Sequence, residues 1–235
     1  MSDVELLEAL SRQPPPAPPA MEAALEAELA SLAPVAPRRP GRQLVILGVA
    51  SLAYAAWLLA LLTLRRDLDE LPPAWLAGAG LAWFAGFVVP AYLALVPRTG
   101  RMTPRWQWAA ASAVVTSVAF IALGMVVHPH GASSLDFGME HFLRGHWCMW
   151  LGLATALVPV VLGAIFLRGA LAVGSRWIAA ALGAGGGCLG GLLLHMHCPI
   201  ADGYHIGLIH GGVVLVAASL SAVLVPRATD RPFRD

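Results

Sequence analysis

The chain has 235 residues, of which 58% are hydrophobic and only 12% charged, and its mean hydropathy is +0.70. Soluble domains carry about a quarter charged residues, so too little polar surface is available to cover a water-soluble globule, and the bilayer is the expected solvent for most of the chain. The net charge of +1, with fifteen arginines and no lysine, leaves no basic footprint for direct nucleic-acid binding.

The first 37 residues differ from the rest. Six acids (Asp3, Glu5, Glu8, Glu22, Glu26, Glu28) stand against one base, Arg12. No basic stretch followed by an apolar one opens the chain, so a cleavable signal peptide is not expected and the tail should stay on the side where it is made. Ser2-Asp3-Val4-Glu5 forms a capping box ahead of Leu6, Leu7 and Leu10, which predicts a short helix to about Ser11. Pro14 to Pro19 make a stiff spacer. A second helix is predicted around Ala20–Leu32, with Leu25, Leu29 and Leu32 on one stripe and glutamates elsewhere. Helices this short are marginal alone in water. They read as groove-binding ligands for a cytoplasmic partner with a basic and apolar surface, and Leu6, Leu7, Leu10, Leu25, Leu29 and Leu32 are the candidate contacts. Anionic lipid would repel such acidic helices, which argues against membrane-surface binding.

Six apolar stretches follow that reach the roughly 20 residues a transmembrane helix needs. They are predicted near Leu44–Leu64, Pro73–Val96, Trp106–Val127, Trp147–Leu167, Trp177–Leu194 and His205–Val225, the fifth being the shortest. The fold class is therefore all-α, a polytopic six-helix membrane bundle with a short tail of amphipathic helices. The expected division is 1–42 for the tail, 43–226 for the bundle and 227–235 for a C-terminal tail. Trp75, Trp106, Trp147 and Trp177 open their spans, where interfacial indoles are favoured. Pro90 and Pro159 lie inside spans and predict tolerated kinks. Twelve arginines fall in the termini and even-numbered loops, and only Arg65, Arg66 and Arg144 on the other side. By the positive-inside rule both termini are cytoplasmic. In the fifth span Gly183, Gly187 and Gly191 lie four apart, and Gly207 and Gly211 repeat the spacing in the sixth, which predicts close packing of these two helices.

All eight histidines fall at the outer ends of spans three to six. The candidate metal ligands are His128, His130, His141, His146, Cys148, His195, His197, Cys198, His205 and His210. Imidazole and thiolate are the usual ligands of zinc and copper, and nearby Met139, Met149 and Met196 add weight to copper. His141/His146 and His205/His210 are five apart; on a regular helix that spacing faces different ways, so neither forms a chelating pair alone. Haem is disfavoured because no histidine sits deep in a span, and no nucleotide is expected. Cys148 and Cys198 flank one interface and are candidates for a disulfide, whereas Cys188, deeper among glycines, reads as packing.

The chain resembles the NrsF-like, CarR-like six-span membrane anti-sigma factors. The likeness rests on the tail DVELLEALSRQPPP with the approach APVAPRRP, on Cys148 opening the fourth span with Pro159 farther along, on the step His197-Cys198-Pro199, and on the final apolar helix after a polar gap. The resemblance implies that the tail holds an extracytoplasmic-function sigma factor at the bacterial inner membrane. It implies release on a metal, redox or light/singlet-oxygen signal, with Cys148 and Cys198 as redox sensors, a role in stress response rather than catalysis. The extra histidines depart from the family pattern. The alternative is a membrane metalloenzyme or oxidoreductase built on the same histidines.

Overall fold

Prolines set where several helices begin, because a missing N–H costs nothing in a first turn and the ring fixes φ near its helical value. In the computed structural model, which describes residues 19–31, 39–97, 104–127, 145–168, 174–200 and 202–229, the chain divides into two compact units, Met1–Arg38 and Arg39–Asp235.

The first unit contains α1 (Pro19–Ser31). Leu25 and Leu29 on it are 56% and 57% exposed. The predicted helix to Ser11, with Leu6, Leu7 and Leu10, and Leu32 beyond α1, lie outside the described residues.

The second unit is helical throughout its described residues, with no strand. It comprises α2 (Pro40–Leu61), a 3₁₀ turn at Leu68–Glu70, α3 (Pro73–Leu95), α4 (Arg105–Val126), α5 (His146–Leu167), α6 (Ser175–His197), a π-helical turn (His205–Gly211) and α7 (Gly212–Thr229). Among the described residues, six helical stretches are long and apolar enough to cross a membrane, the last being the π-turn with α7. Pro40 and Pro73 sit in the first turns of α2 and α3, so α2 starts a turn earlier than its apolar run. Pro90 and Pro159 lie buried inside α3 and α5.

The fifth span, expected to be the shortest, is a full 23-residue helix and the centre of the bundle. Its backbone continues past the apolar run through His195 and His197. Buried residues make up 89% of its apolar window, against 11% for α2, whose Val45, Val49 and Leu61 are bare apolar side chains turned outward. Glycine allows α6 this position by presenting backbone on three sides. A Cβ on Gly183 or Gly187 would strike Ala217, Ser221, Val213 or Val214 of α7; one on Gly186 or Gly190 would strike Ala156 or Gly152 of α5; one on Gly185 would meet the Phe87 carbonyl of α3. The predicted α6–α7 packing holds for Gly183 and Gly187 only. A spacing of four overshoots a 3.6-residue turn, so the row rotates, and Gly191 faces Trp83 of α3. Gly207 and Gly211 seat the π-turn on α4, not on α6. Gly174, just before α6, has φ of +70° and lies under the Trp106 side chain, where no other residue would fit.

Candidate functional site: a cysteine–histidine cluster

Antiparallel packing brings the start of α5, the end of α6 and the π-turn to one end of the bundle. Cys148 lies in the first turn of α5, and one turn farther Gly152 backs onto Gly190 of α6. That contact places Cys148 beside Cys198, the residue that ends α6. The two sulfurs are 3.8 Å apart and both thiols are free. His205 Nε2 lies 3.3 Å from Cys198 Sγ. The His205 and His210 rings meet edge to face with centroids 4.9 Å apart. One ligand atom from each of Cys148, Cys198, His205 and His210 lies within 4.8 Å of all the others. Cys198, His205 and His210 are buried and Cys148 half-buried. The Cys148 sulfur, then burial, push the Cys198 thiol up from its ordinary value, against the opposing pull of His205 and His210.

The pairing of His205 with His210 corrects the sequence reading. Five residues turn an α-helix through about 140° beyond a full revolution, which separates the rings. A π-turn holds more residues per turn, so positions five apart come nearly into line. Asp202 caps this turn: its Oδ1 accepts from the His205 N–H at 2.7 Å, and its carbonyl accepts from the Ile206 N–H at 2.9 Å. Gly207 lies against Gly124 of α4, where a Cβ on Gly124 would come within 2.8 Å of the Gly207 backbone.

The remaining candidates are placed differently. His195 Nε2–H donates to the Leu76 carbonyl at 3.0 Å, and its ring lies against Trp75. His197 Nδ1–H donates to the Thr63 carbonyl at 2.6 Å. His146 is exposed beside Trp147. His128, His130 and His141 lie outside the described residues. Cys188 is fully buried against Gly86 and Phe120, away from the cluster.

Sequence reasoning missed the strap that holds the end of α6. Arg65, in the loop after α2, pairs bidentately with Asp67 (2.7 Å for both contacts) and donates through Nη1 to the His195 carbonyl at 3.2 Å. Its backbone N–H donates to the Met196 carbonyl at 3.0 Å, and its guanidinium lies 5.8 Å from the Trp75 ring centre. The signal was available: Arg65 is one of three arginines on the side poor in positive charge. Beside the strap is a mainly apolar cavity of about 350 Å³ lined by Trp75, Trp83 and Phe120, into which Arg65, His195, Cys198 and His210 also face.

No curated protein and no solved structure is matched by the chain. A family model described as NrsF, negative regulator of sigma F, matches residues 29–229, which take in α2 to α7 and the whole cluster. That match spans most of the chain, and with it the six apolar helices and the paired thiols of Cys148 and Cys198 acquire a common setting: the chain belongs to the NrsF family of negative regulators of sigma F.

Proposed function

We propose that this protein is an inner-membrane anti-sigma factor that holds an extracytoplasmic-function sigma factor through residues 1–42 and releases it when its cysteine–histidine cluster is altered. The observation that carries the reading is α1. Its Leu25 and Leu29 are more than half exposed on a helix whose charged residues are all glutamates, a pattern suited to an apolar groove with a basic rim. Membership of a sigma-regulator family supplies the class of partner. The arginine distribution supports cytoplasmic placement of both termini, with the cluster on the opposite face of the membrane. Cys148 and Cys198, 3.8 Å apart on different helices, are the groups through which a redox or metal signal would act.

The test is direct binding. A peptide of residues 1–42 is titrated into an extracytoplasmic-function sigma factor encoded beside this gene, with calorimetry as the readout. Saturable binding that blocks the sigma factor's association with core polymerase is expected. Absence of binding by both the peptide and the full chain in detergent would sink the reading.

A further inference from the structure

We infer that Cys148, Cys198, His205 and His210 form a closed, four-coordinate zinc site that joins α5, the end of α6 and the π-turn. This deepens the reading above by naming what the cluster holds; it depends on that reading only for its consequence in sigma release.

Three observations carry it. The first is distance. A tetrahedral zinc with about 2.3 Å to sulfur and about 2.0 Å to nitrogen spaces its ligands about 3.8 Å apart for two sulfurs and about 3.5 Å for sulfur and nitrogen. Cys148 Sγ and Cys198 Sγ are 3.8 Å apart, and Cys198 Sγ and His205 Nε2 3.3 Å. The second is an unmet need: His210 is 4% exposed and its Nε2 is buried without a hydrogen-bond partner. A buried imidazole nitrogen in that state costs free energy that a metal or donor would recover. The third is backbone geometry. A π-turn is less favourable than the α-helix that could continue through the same residues and marks functional positions. Here it is what brings His205 and His210 to one point, with Asp202 capping its start.

The donor set decides the metal. Two thiolates and two imidazoles in a tetrahedron suit zinc, and four protein ligands leave no open position of the kind a catalytic zinc keeps. The site is thus structural or sensory, which speaks against the metalloenzyme alternative. His195 and His197 stand outside the site by geometry: among the described residues, the ligand atoms that lie within 4.8 Å of one another come from Cys148, Cys198, His205 and His210.

The experiment is metal analysis of the full chain purified in detergent without chelator, alongside Cys198→Ser, His210→Ala, His195→Ala and His197→Ala. One zinc per chain is expected in the wild type and in the last two variants, and at least a tenfold loss of occupancy in the first two. Cobalt(II) added to zinc-stripped protein should give the intense visible bands of a tetrahedral thiolate site. Helical circular dichroism and a single elution peak are the folding controls. If either core variant aggregates, Cys148→Ser, at a half-buried position, replaces it. Zinc absent from the wild type, retained in both core variants, lost equally in His195→Ala, or replaced by stoichiometric copper would each overturn the inference. The readout does not involve the sigma factor. A zinc-loaded protein that binds no sigma factor therefore refutes the proposed function and leaves the zinc site standing.

Discussion

His205 and His210 lie edge to face across a single π-turn, with ring centroids 4.9 Å apart although five residues separate them. Their alignment depends on how the turn rests on α4, and that seat is made of glycine. A Cβ on Gly207 would come within 2.8 Å of the Ile121 carbonyl, and one on Gly211 within 2.8 Å of the Phe120 carbonyl. Gly207→Ala and Gly211→Ala should each cost about 1–3 kcal/mol through overpacking and lower metal occupancy. Gly48→Ala, where nothing lies within 4 Å of the added carbon, should be neutral or stabilising by up to about 1 kcal/mol. Thermal unfolding in detergent, read with metal content, checks all three.

Arg65 and Asp67 form a strap whose two halves should not be separable at equal cost. Arg65 is almost fully buried while the Asp67 side chain is 24% exposed. Asp67→Ala leaves a buried guanidinium without its bidentate partner, and a loss of about 1–3 kcal/mol is expected after discounting for that exposure. The double variant Arg65→Met/Asp67→Ala should be less destabilised than Asp67→Ala alone. A double-mutant cycle by chemical unfolding gives the coupling; strictly additive losses would show that the pair contributes nothing.

Two thiols 3.8 Å apart are within reach of a disulfide after a small shift of either helix end. In protein stripped of metal, hydrogen peroxide should oxidise Cys148 and Cys198 to a disulfide, the two thiols giving up two electrons and two protons and the peroxide leaving as two waters. Cys188, fully buried between α3 and α4, should stay reduced. Peptide mapping under non-reducing conditions identifies the linkage, and a Cys148–Cys188 product would contradict the packing described here.

In the first unit, Leu25→Ala and Leu29→Ala remove side chains that are more than half exposed, so the fold of the chain should be unaffected. If these leucines enter a groove on the sigma factor, each truncation should weaken binding by about 1.5–3 kcal/mol, or roughly tenfold to a hundredfold. Unchanged affinity in both variants would move the contact elsewhere in the tail.

Much of this was legible in the sequence. Six spans show because a run of about 20 apolar residues has few other fates, and the shared end of His146, His195, His197, His205 and His210 follows from counting those spans. The boundaries were less clear. The apolar run of α6 stops at Leu194, but helical hydrogen bonding carries on to His197, and polar residues at a membrane interface do not interrupt a backbone. Which of the described candidates come together, namely Cys148, Cys198, His205 and His210, was hidden for a different reason. Periodicity reasoning assumes a regular helix, and a π-turn is the local departure that reverses its answer for His205 and His210. The pattern that would have revealed it is two ligand-type residues five apart, with Gly207 between them and Gly211 and Gly212 following, at a helix start.

The cluster draws its four residues from the last three apolar helices, with His210 the final contributor. At a synthesis rate of about 5–20 residues per second, the interval between the appearance of Arg38 and that of His210 is roughly ten to thirty seconds. For that time the nascent chain carries its complete N-terminal segment and an unfinished cluster. On the proposed reading, the order of translation delivers the sigma-binding segment before the cluster that would control it.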